Sequence, residues 1–300
     1  MGTSRWPAAA PLALAGVISA GAVAFLWRLS SSSLFLDETY SWRAAAGSFT
    51  SVFRSVRLTE VAPPGYYLLL HLWMRILGTD SVWSMRFLSV LAGVGFVAAV
   101  WWLGRLLAGD AAAALAALLA ALSPLVVSYA QEVRSYIFAM LCSVVAVAAA
   151  LQATRSPSRA GRWIGLSAMA SLATLWLNYT GIMVIAPLAA FLWTSRVLAA
   201  SLRRAYIAVC AVAFVAVAPL MAIQLRAGHQ GGVAPFARPT GANFARVIGT
   251  PFDGSFPPQA ITYVTGAVAV AAAMAFLAVR AGLLPGRREQ LLLLAAALLP

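Results

Sequence analysis

The segment Ser33–Tyr67 reads SLFLDETYSWRAAAGSFTSVFRSVRLTEVAPPGYY and carries three acidic side chains, Asp37, Glu38 and Glu60. The whole chain of 300 residues has only eight acidic residues against 21 basic ones, and 62% of it is hydrophobic. A carboxylate is costly next to hydrocarbon, so three of them in one short segment need an aqueous cleft or a chemical role. This segment therefore decides how the rest of the chain is interpreted.

The sequence on both sides of this segment is too apolar for water. Uncharged runs of about 20 residues, the length that a helix needs to cross a bilayer, recur along the chain. They lie at 6–27, 87–104, 111–131, 135–154 and 205–225. We therefore predict an all-α polytopic membrane protein, a single domain over residues 1–300 with about eight complete spans. Leu291–Pro300 begins a truncated ninth span that is too short to cross, so we expect the native chain to continue.

The basic excess consists entirely of arginine and gives a formal net charge of +13. Arginines dispersed among membrane spans indicate topology and contact with anionic membrane lipid, and they form no basic stripe for nucleic acid. Cys142 and Cys210 fall inside apolar runs, so we interpret them as buried small hydrophobic residues.

The positions of the arginines predict the orientation, because short arginine-rich loops stay in the cytoplasm. Such linkers lie at 154–162, 194–204 and 286–290. The uncharged run between the first two is too long for one span, so we predict a hairpin that turns at Asn178–Gly181. The N-terminus is then cytoplasmic, and a first loop at 30–85 and a second at 226–260 face outward across the plasma membrane.

This layout requires that Tyr66–Leu77, with the sequence YYLLLHLWMRIL, does not cross. The segment lies between Pro63-Pro64-Gly65 and Gly78 and is too short for a span, which favours a helix lying at the membrane interface. If it crossed, every later loop would be inverted.

Two outward-facing segments carry the charged residues of interest. Asp37 either takes part in catalysis or merely caps a short helix over 38–46. Glu60 is either functional or an ordinary loop acid. In the turn Tyr129–Tyr136, Glu132 and Arg134 either form a local ion pair or let Arg134 bind an anionic headgroup, since a guanidinium binds phosphate oxygens in bidentate fashion. Arg57 could assist such binding.

The motifs LFLDETYSW, TEVAPPGYYLLLHLW and LSPLVVSYAQEVRSY, with Arg86 opening a span, resemble the protein-mannosyltransferase and aminoarabinose-transferase superfamily of C-type glycosyltransferases. The resemblance covers most of residues 10–200. It implies a C-type glycosyltransferase-like helical bundle with interfacial helices in the first outer loop. It also implies inverting transfer of a sugar from a polyprenyl-phosphate donor to a glycan, lipid or protein hydroxyl outside the cytoplasm.

In this family pattern, Asp37 matches the catalytic aspartate, Glu38 matches its partner, and Glu60 resembles a second acid before a Pro-containing turn. Ala62 stands where many bacterial relatives have histidine, which leaves the acceptor side open. One general base suffices, because a departing phosphate needs little protonation.

The predicted site therefore has two sets of residues. The catalytic set is Asp37, Glu38 and Glu60, and the substrate-binding set is Arg57, Tyr66, Glu132, Arg134 and Tyr136. No cofactor is certain, but carboxylates such as Asp37 and Glu38 could hold a divalent metal ion.

Two other classes of function compete with the enzyme. A transporter or flippase of lipid-linked substrates would want ionisable groups or broken helices at mid-membrane, and the clear spans contain no such ionisable groups. A non-catalytic envelope-assembly protein would tolerate the loss of all three acids.

Overall fold

The computed structural model describes residues 9–59 and 62–228, and within these ranges it is built of helices without a β-strand. In chain order the α-helices are α1 (Ala9–Leu26), α2 (Leu36–Ala46), α3 (Phe49–Thr59), α4 (Gly65–Leu77), α5 (Val82–Leu122), α6 (Pro124–Ala130), α7 (Tyr136–Arg155), α8 (Ala160–Leu177), α9 (Ile182–Thr194) and α10 (Ala200–Gly228). Glu60, residues 229–260 of the predicted second loop, and the spans predicted after it lie outside the described residues.

Three helices among the described residues are long and apolar enough to cross a membrane: Val82–Leu122, Tyr136–Arg155 and Ala200–Gln224. Shorter apolar helices lie at Ala10–Leu26 and Tyr179–Thr194. The predicted all-α membrane fold is confirmed.

Helix α5 is a hairpin of two arms rather than one rod. Its backbone leaves the helical region at Gly109, where φ is 81° and ψ is −175°. A Cβ atom on Gly104 would lie 2.8 Å from the Cα atom of Ala113, whereas nine residues of straight helix would separate these positions by roughly 13 Å. Arg105 and Asp110 form an ion pair across the turn. The chain thus reverses near Arg105–Asp110, between the apolar runs at 87–104 and 111–131.

A second hairpin joins α8 to α9 at the predicted turn Asn178–Gly181. The side-chain oxygen of Asn178 accepts hydrogen bonds from the backbone nitrogen of Thr180 at 3.0 Å and from its hydroxyl at 2.8 Å. The start of α4 rests on this end of α8, since a Cβ atom on Gly65 would lie 2.4 Å from the carbonyl oxygen of Trp176. Only glycine allows so close an approach.

Small residues bring α1 against both arms of α5. The ring of Phe25 is fully buried, and a Cβ atom on Gly93 would lie 3.0 Å from it. On the other arm, Ala121 would lie 3.2 Å from a Cβ atom on Gly21. Glycine and alanine at such contacts are typical of membrane helices, whose association depends on close van der Waals packing.

The contacts between elements define two opposite ends of this bundle. At one end, Glu38 of α2 pairs with Arg86 at the start of α5, beside the turn that precedes α7. At the other end, Arg155 at the end of α7 donates a hydrogen bond to the carbonyl oxygen of Leu106, close to the Gly109 turn. The start of α8 packs there on the start of α10, through Gly161 and Leu202.

Candidate active site

Asp37 is the second residue of α2, and its side chain is exposed. Phe35 occupies the N-cap position, and its backbone nitrogen donates to Glu38 Oε2 at 3.1 Å. The interpretation of Asp37 as the helix cap is therefore wrong, because the helix begins at Leu36, two residues before the predicted start, and the Glu38 carboxylate accepts the backbone N–H of the cap residue Phe35. The Asp37 carboxylate is left available to solvent.

Glu38 points the other way and is fully buried. Arg86 binds its carboxylate in bidentate fashion, with Nε 3.0 Å from Oε1 and Nη2 2.7 Å from Oε2. The backbone nitrogen of Val133 donates to Oε1 at 2.9 Å. With the bond from Phe35, four donors serve these two oxygens, so Glu38 ties α2 to α5 and to the turn before α7.

Arg134 lies over the start of α2, next to Asp37. Its Nη1 atom is 3.3 Å from the backbone oxygen of Asp37 and 3.4 Å from Ser41 Oγ, and its guanidinium carbon is 5.6 Å from the centre of the Tyr136 ring. Burial acts to lower the pKa of Arg134, but the hydrogen bond to Tyr136 and the neighbouring Tyr67 and Asp37 raise it overall. The structure thus brings Asp37, Arg134 and Tyr136 together around a permanent positive charge.

Glu132 faces a different direction from Arg134. Ser128 donates a hydrogen bond to its Oε1 atom at 2.6 Å, and the carboxylate lines a cavity that also reaches Glu38 and Arg86. Burial raises the pKa of Glu132, and the bond from Ser128 lowers it by less.

Of the other predicted site residues, Tyr66 lies within electrostatic range of Arg134, Glu38 and Glu132. The Tyr66 ring is buried, with its centre 5.4 Å from that of Phe138, so it forms part of the core beneath the site. Arg57 is exposed in the last turn of α3. Glu60 lies outside the described residues.

The proposed metal ligands Asp37 and Glu38 do not converge. Glu38 turns inward to Arg86, whereas the side chain of Asp37 is exposed. Within 9–59 and 62–228 there is no group of three His, Cys, Asp or Glu side chains that could hold a metal ion. The described residues therefore do not fit a divalent metal at this position.

Two glutamines that the sequence analysis missed hold the surroundings of the site. Gln131 Nε2 is 3.3, 3.1 and 2.9 Å from the carbonyl oxygens of Ala24, Phe25 and Trp27, so it caps the end of α1. The amide of Gln224, in α10, joins three other segments through Val56, Ala62 and Tyr179. The sequence did contain a signal for Gln224, which is the only amide side chain inside the apolar run 205–225. A buried amide needs hydrogen-bond partners.

A comparison with protein families matches residues 61–223, more than half of the chain, to the family described as dolichyl-phosphate-mannose-protein mannosyltransferase. A comparison with curated proteins gives no match. The protein is a membrane glycosyltransferase of the mannosyltransferase type. It belongs to the dolichyl-phosphate-mannose-protein mannosyltransferase family, which confirms the resemblance seen in the sequence. The matched range begins after Asp37 and Glu38, so their roles rest on geometry.

Proposed function

We propose that this protein transfers a sugar, with inversion, from a polyprenyl-phosphate donor to a hydroxyl of a glycan, lipid or protein acceptor. The observation that carries the proposal is the exposed Asp37 carboxylate within electrostatic range of the charged guanidinium of Arg134, which binds the backbone oxygen of Asp37. A base and a fixed positive charge near each other are what this displacement requires.

Asp37 is the general base in this proposal. As the acceptor oxygen bonds to the anomeric carbon, its proton passes to the Asp37 carboxylate, and the bond from that carbon to the phosphate oxygen breaks. The polyprenyl phosphate leaves with the bonding electrons. Proton transfer to a positioned side chain typically contributes about 10²–10⁴-fold to the rate.

Arg134 offsets the charge that develops on the departing phosphate. Its contact with Tyr136 and its bond to the Asp37 backbone hold the guanidinium in one orientation, which favours recognition of phosphate oxygens. Arg57, exposed on α3, offers a second cation, and Glu60 remains our prediction for contact with the acceptor.

Glu38 acts as a positioning residue in this scheme. Its four hydrogen bonds fix the first turn of α2, and this is the turn that presents Asp37. A preorganised base loses no energy to reorientation when the reaction occurs.

The proposed location is the plasma membrane, with a cytoplasmic N-terminus and an extracytoplasmic site. It is supported by the arginine linkers at the end of the bundle opposite Asp37, because such loops stay in the cytoplasm.

The test is Asp37→Asn in the full chain, expressed in a strain that lacks the native copy. We expect transfer to fall by about 100-fold or more while the protein still inserts and accumulates. Mass spectrometry of the sugar-loaded polyprenyl phosphates should show the donor accumulating in this strain. Asp80→Asn is the matched control, since Asp80 is an exposed acid whose partner is Trp42. Normal transfer by the Asp37→Asn protein would end the assignment of Asp37 as base.

A further inference from the structure

The arginine-rich end of the bundle gathers positive charge from three turns: the Gly109 reversal in α5, the turn between α7 and α8, and the turn between α9 and α10. Arg155 joins the first two through its bond to the Leu106 carbonyl. A Cβ atom on Gly161 would lie 3.8 Å from the Leu202 side chain, so the last two turns lie side by side. The residues at and next to these turns include seven arginines, namely Arg105, Arg155, Arg159, Arg162, Arg196, Arg203 and Arg204.

Little negative charge balances these arginines within the described part of the chain. Asp110 is the acidic residue at the α5 reversal, and it already pairs with Arg105. The segment 133–228 supplies the other six arginines and contains no acidic residue. Like charges repel each other strongly beside a low-dielectric membrane, so this end of the bundle favours an anion that the described chain does not itself supply.

Three of the arginines are placed to meet such an anion. Arg159, Arg162 and Arg196 are exposed. Arg203 is instead held in place, with Nη1 2.7 Å from the carbonyl oxygen of Trp193 and its guanidinium carbon 6.0 Å from the centre of the Trp193 ring. An exposed guanidinium can donate two parallel hydrogen bonds to phosphate oxygens, which makes arginine the usual residue for this ligand.

Tryptophan side chains indicate the depth of this end in the membrane. Trp193, in the last turn of α9, is 55% exposed. Trp102 and Trp163 pack together nearby, with ring centres 5.7 Å apart. Tryptophan is enriched where hydrocarbon meets the lipid headgroups, because its ring is apolar and its N–H group is polar. Arginines next to this belt lie at the level of the lipid phosphates.

The turn between α9 and α10 is fixed by a core residue of its own. Leu198 is buried and belongs to the same apolar cluster as Ala160 and Ile164 of α8. Its neighbours Arg196 and Val197 are exposed. The turn therefore presents Arg196 beside the arginines of α8 without help from a ligand, and a preorganised site loses less ordering entropy on binding.

We infer that the α7–α8 and α9–α10 turns together bind the phosphate headgroup of an anionic phospholipid, through Arg159, Arg162 and Arg196. A lipid bound across both turns stabilises their packing, because a ligand that binds only the folded state raises the free energy of unfolding. The inference does not rest on the proposed sugar transfer. In the proposed orientation, the lipid belongs to the cytoplasmic leaflet.

The test is native mass spectrometry of the purified full chain in detergent, titrated with phosphatidylglycerol, cardiolipin and phosphatidylcholine. We expect the two anionic lipids to stay bound and the zwitterionic phosphatidylcholine to be lost. The triple variant Arg159→Gln/Arg162→Gln/Arg196→Gln should bind phosphatidylglycerol about 100-fold more weakly, since each arginine near an anionic lipid surface contributes about fivefold to binding.

The matched control is Arg43→Gln/Arg54→Gln/Arg75→Gln. It removes the same charge from three exposed arginines of α2, α3 and α4. This control should bind phosphatidylglycerol as wild type does. Equal losses in the two triple variants would mean that net charge alone attracts the lipid, and would overturn the assignment to these turns.

Thermal unfolding gives a second readout that is independent of transfer activity. Phosphatidylglycerol should raise the wild-type midpoint above its value in phosphatidylcholine, and added salt should reduce this gain. The variant that lacks Arg159, Arg162 and Arg196 should unfold at the wild-type temperature in phosphatidylcholine, because these side chains are exposed, and should gain nothing from phosphatidylglycerol.

Three results would overturn the inference. They are equal retention of phosphatidylcholine and phosphatidylglycerol, wild-type binding of phosphatidylglycerol by the variant that lacks Arg159, Arg162 and Arg196, and stabilisation by inorganic phosphate as large as that by the lipid, which would assign the site to a soluble anion. If that variant does not accumulate, Arg196→Gln alone makes the same comparison, with an expected loss of about fivefold in binding.

Discussion

Asp37 and Glu38 are adjacent acids with opposite surroundings, because successive residues of a helix point about 100° apart. Glu38 is buried against Arg86, and Asp37 is exposed. The sequence predicted both as site residues, but it could not assign their orientations, since Arg86 is 48 positions away from Glu38. Only the packing of α2 on α5 distinguishes the positioning residue from the proposed base.

The first prediction separates these two acids by stability. Glu38→Ala leaves the Arg86 charge buried without its carboxylate, which costs about 3–5 kcal/mol, so we expect a lower thermal midpoint and poor accumulation. Asp37→Asn should unfold at the wild-type temperature. Thermal unfolding of the purified proteins in detergent checks both. Combining Glu38→Leu with Arg86→Met should recover part of the loss, and a wild-type midpoint for Glu38→Ala would refute the role of the pair.

The second prediction concerns the pH dependence of stability. Burial raises the pKa of Glu132 above its ordinary value of 4.5. The folded state therefore binds the Glu132 proton more tightly than the unfolded state does. The resulting contribution to the free energy of unfolding is full below pH 4.5 and is lost as the pH rises through the folded-state pKa. Relative to wild type, Glu132→Gln should gain thermal stability as the pH is raised from about 4 to about 8. A stability difference that does not change across this range would contradict the assignment.

At the scale of elements, Gln224 joins three segments that are distant in sequence. Its Nε2 atom is 2.8 Å from the carbonyl oxygen of Val56 and 3.0 Å from that of Ala62, and Tyr179 donates to its Oε1 atom at 2.7 Å. Val56 and Ala62 flank the position of Glu60 in the chain. One amide in α10 thus connects α3, the start of the α4 segment and the α8–α9 turn.

The third prediction follows from this connection. Gln224→Leu removes both donors from the carbonyls and the acceptor from Tyr179, and an unpaired buried polar group costs about 1–3 kcal/mol. We expect a clear loss in thermal unfolding and faster proteolysis between α3 and α4. Gln152→Leu is the control, because the amide of Gln152 donates one bond, to Ser156, at the other end of the bundle. Equal effects of the two substitutions would argue against the connection.

The fourth prediction tests the reversal within α5. Gly109 combines φ of 81° with ψ of −175°, a region essentially reserved for glycine, and a Cβ atom there would meet no other atom within 4 Å. Gly109→Ala should therefore cost about 1–3 kcal/mol through the backbone alone. Gly16→Ala, where a Cβ atom also meets nothing but α1 is regular, should be neutral or slightly stabilising. Thermal unfolding of the two variants compares them, and equal stability would mean that the turn is not strained.

The sequence predicted most of these elements but not their contacts. The apolar run at 135–154 became α7, Tyr136–Arg155, because hydropathy decides which segments leave water. The apolar run at 111–131 is interrupted, since Ser123 is extended and Pro124 starts the new helix α6. The side-chain nitrogens of Gln131 and Gln224 bind carbonyl groups that are 104 to 168 positions away along the chain, so no local pattern could reveal them.

At the scale of the whole molecule, charge is divided between the two ends of the bundle. Asp37 and Glu38 lie at one end, and the linkers that carry Arg155, Arg159 and Arg203 lie at the other. This division of charge would serve both the anchoring of the bundle in the membrane and the position of the proposed base. In the proposed orientation, the arginines would anchor one end on the cytoplasmic side, and the same alternation of helix directions would put the proposed base on the side where a polyprenyl-linked sugar would be used.

The fifth prediction tests this orientation and the depth of α4 together. Between Gly47 and Ser158 the chain would cross three times, through the two arms of α5 and through α7, if α4 lies at the interface. A reporter fused after Gly47 should then be active only outside, and one fused after Ser158 only inside. A fusion after Gly109 should match Ser158, because both positions lie at the arginine-rich end.

If α4 crossed as well, there would be four crossings, and the Gly47 and Ser158 reporters would lie on the same side. If the Gly47 reporter were active only inside and the Ser158 reporter only outside, α4 would still lie at the interface but the whole bundle would be inverted. Asp37 would then lie in the cytoplasm, which would refute an extracytoplasmic site.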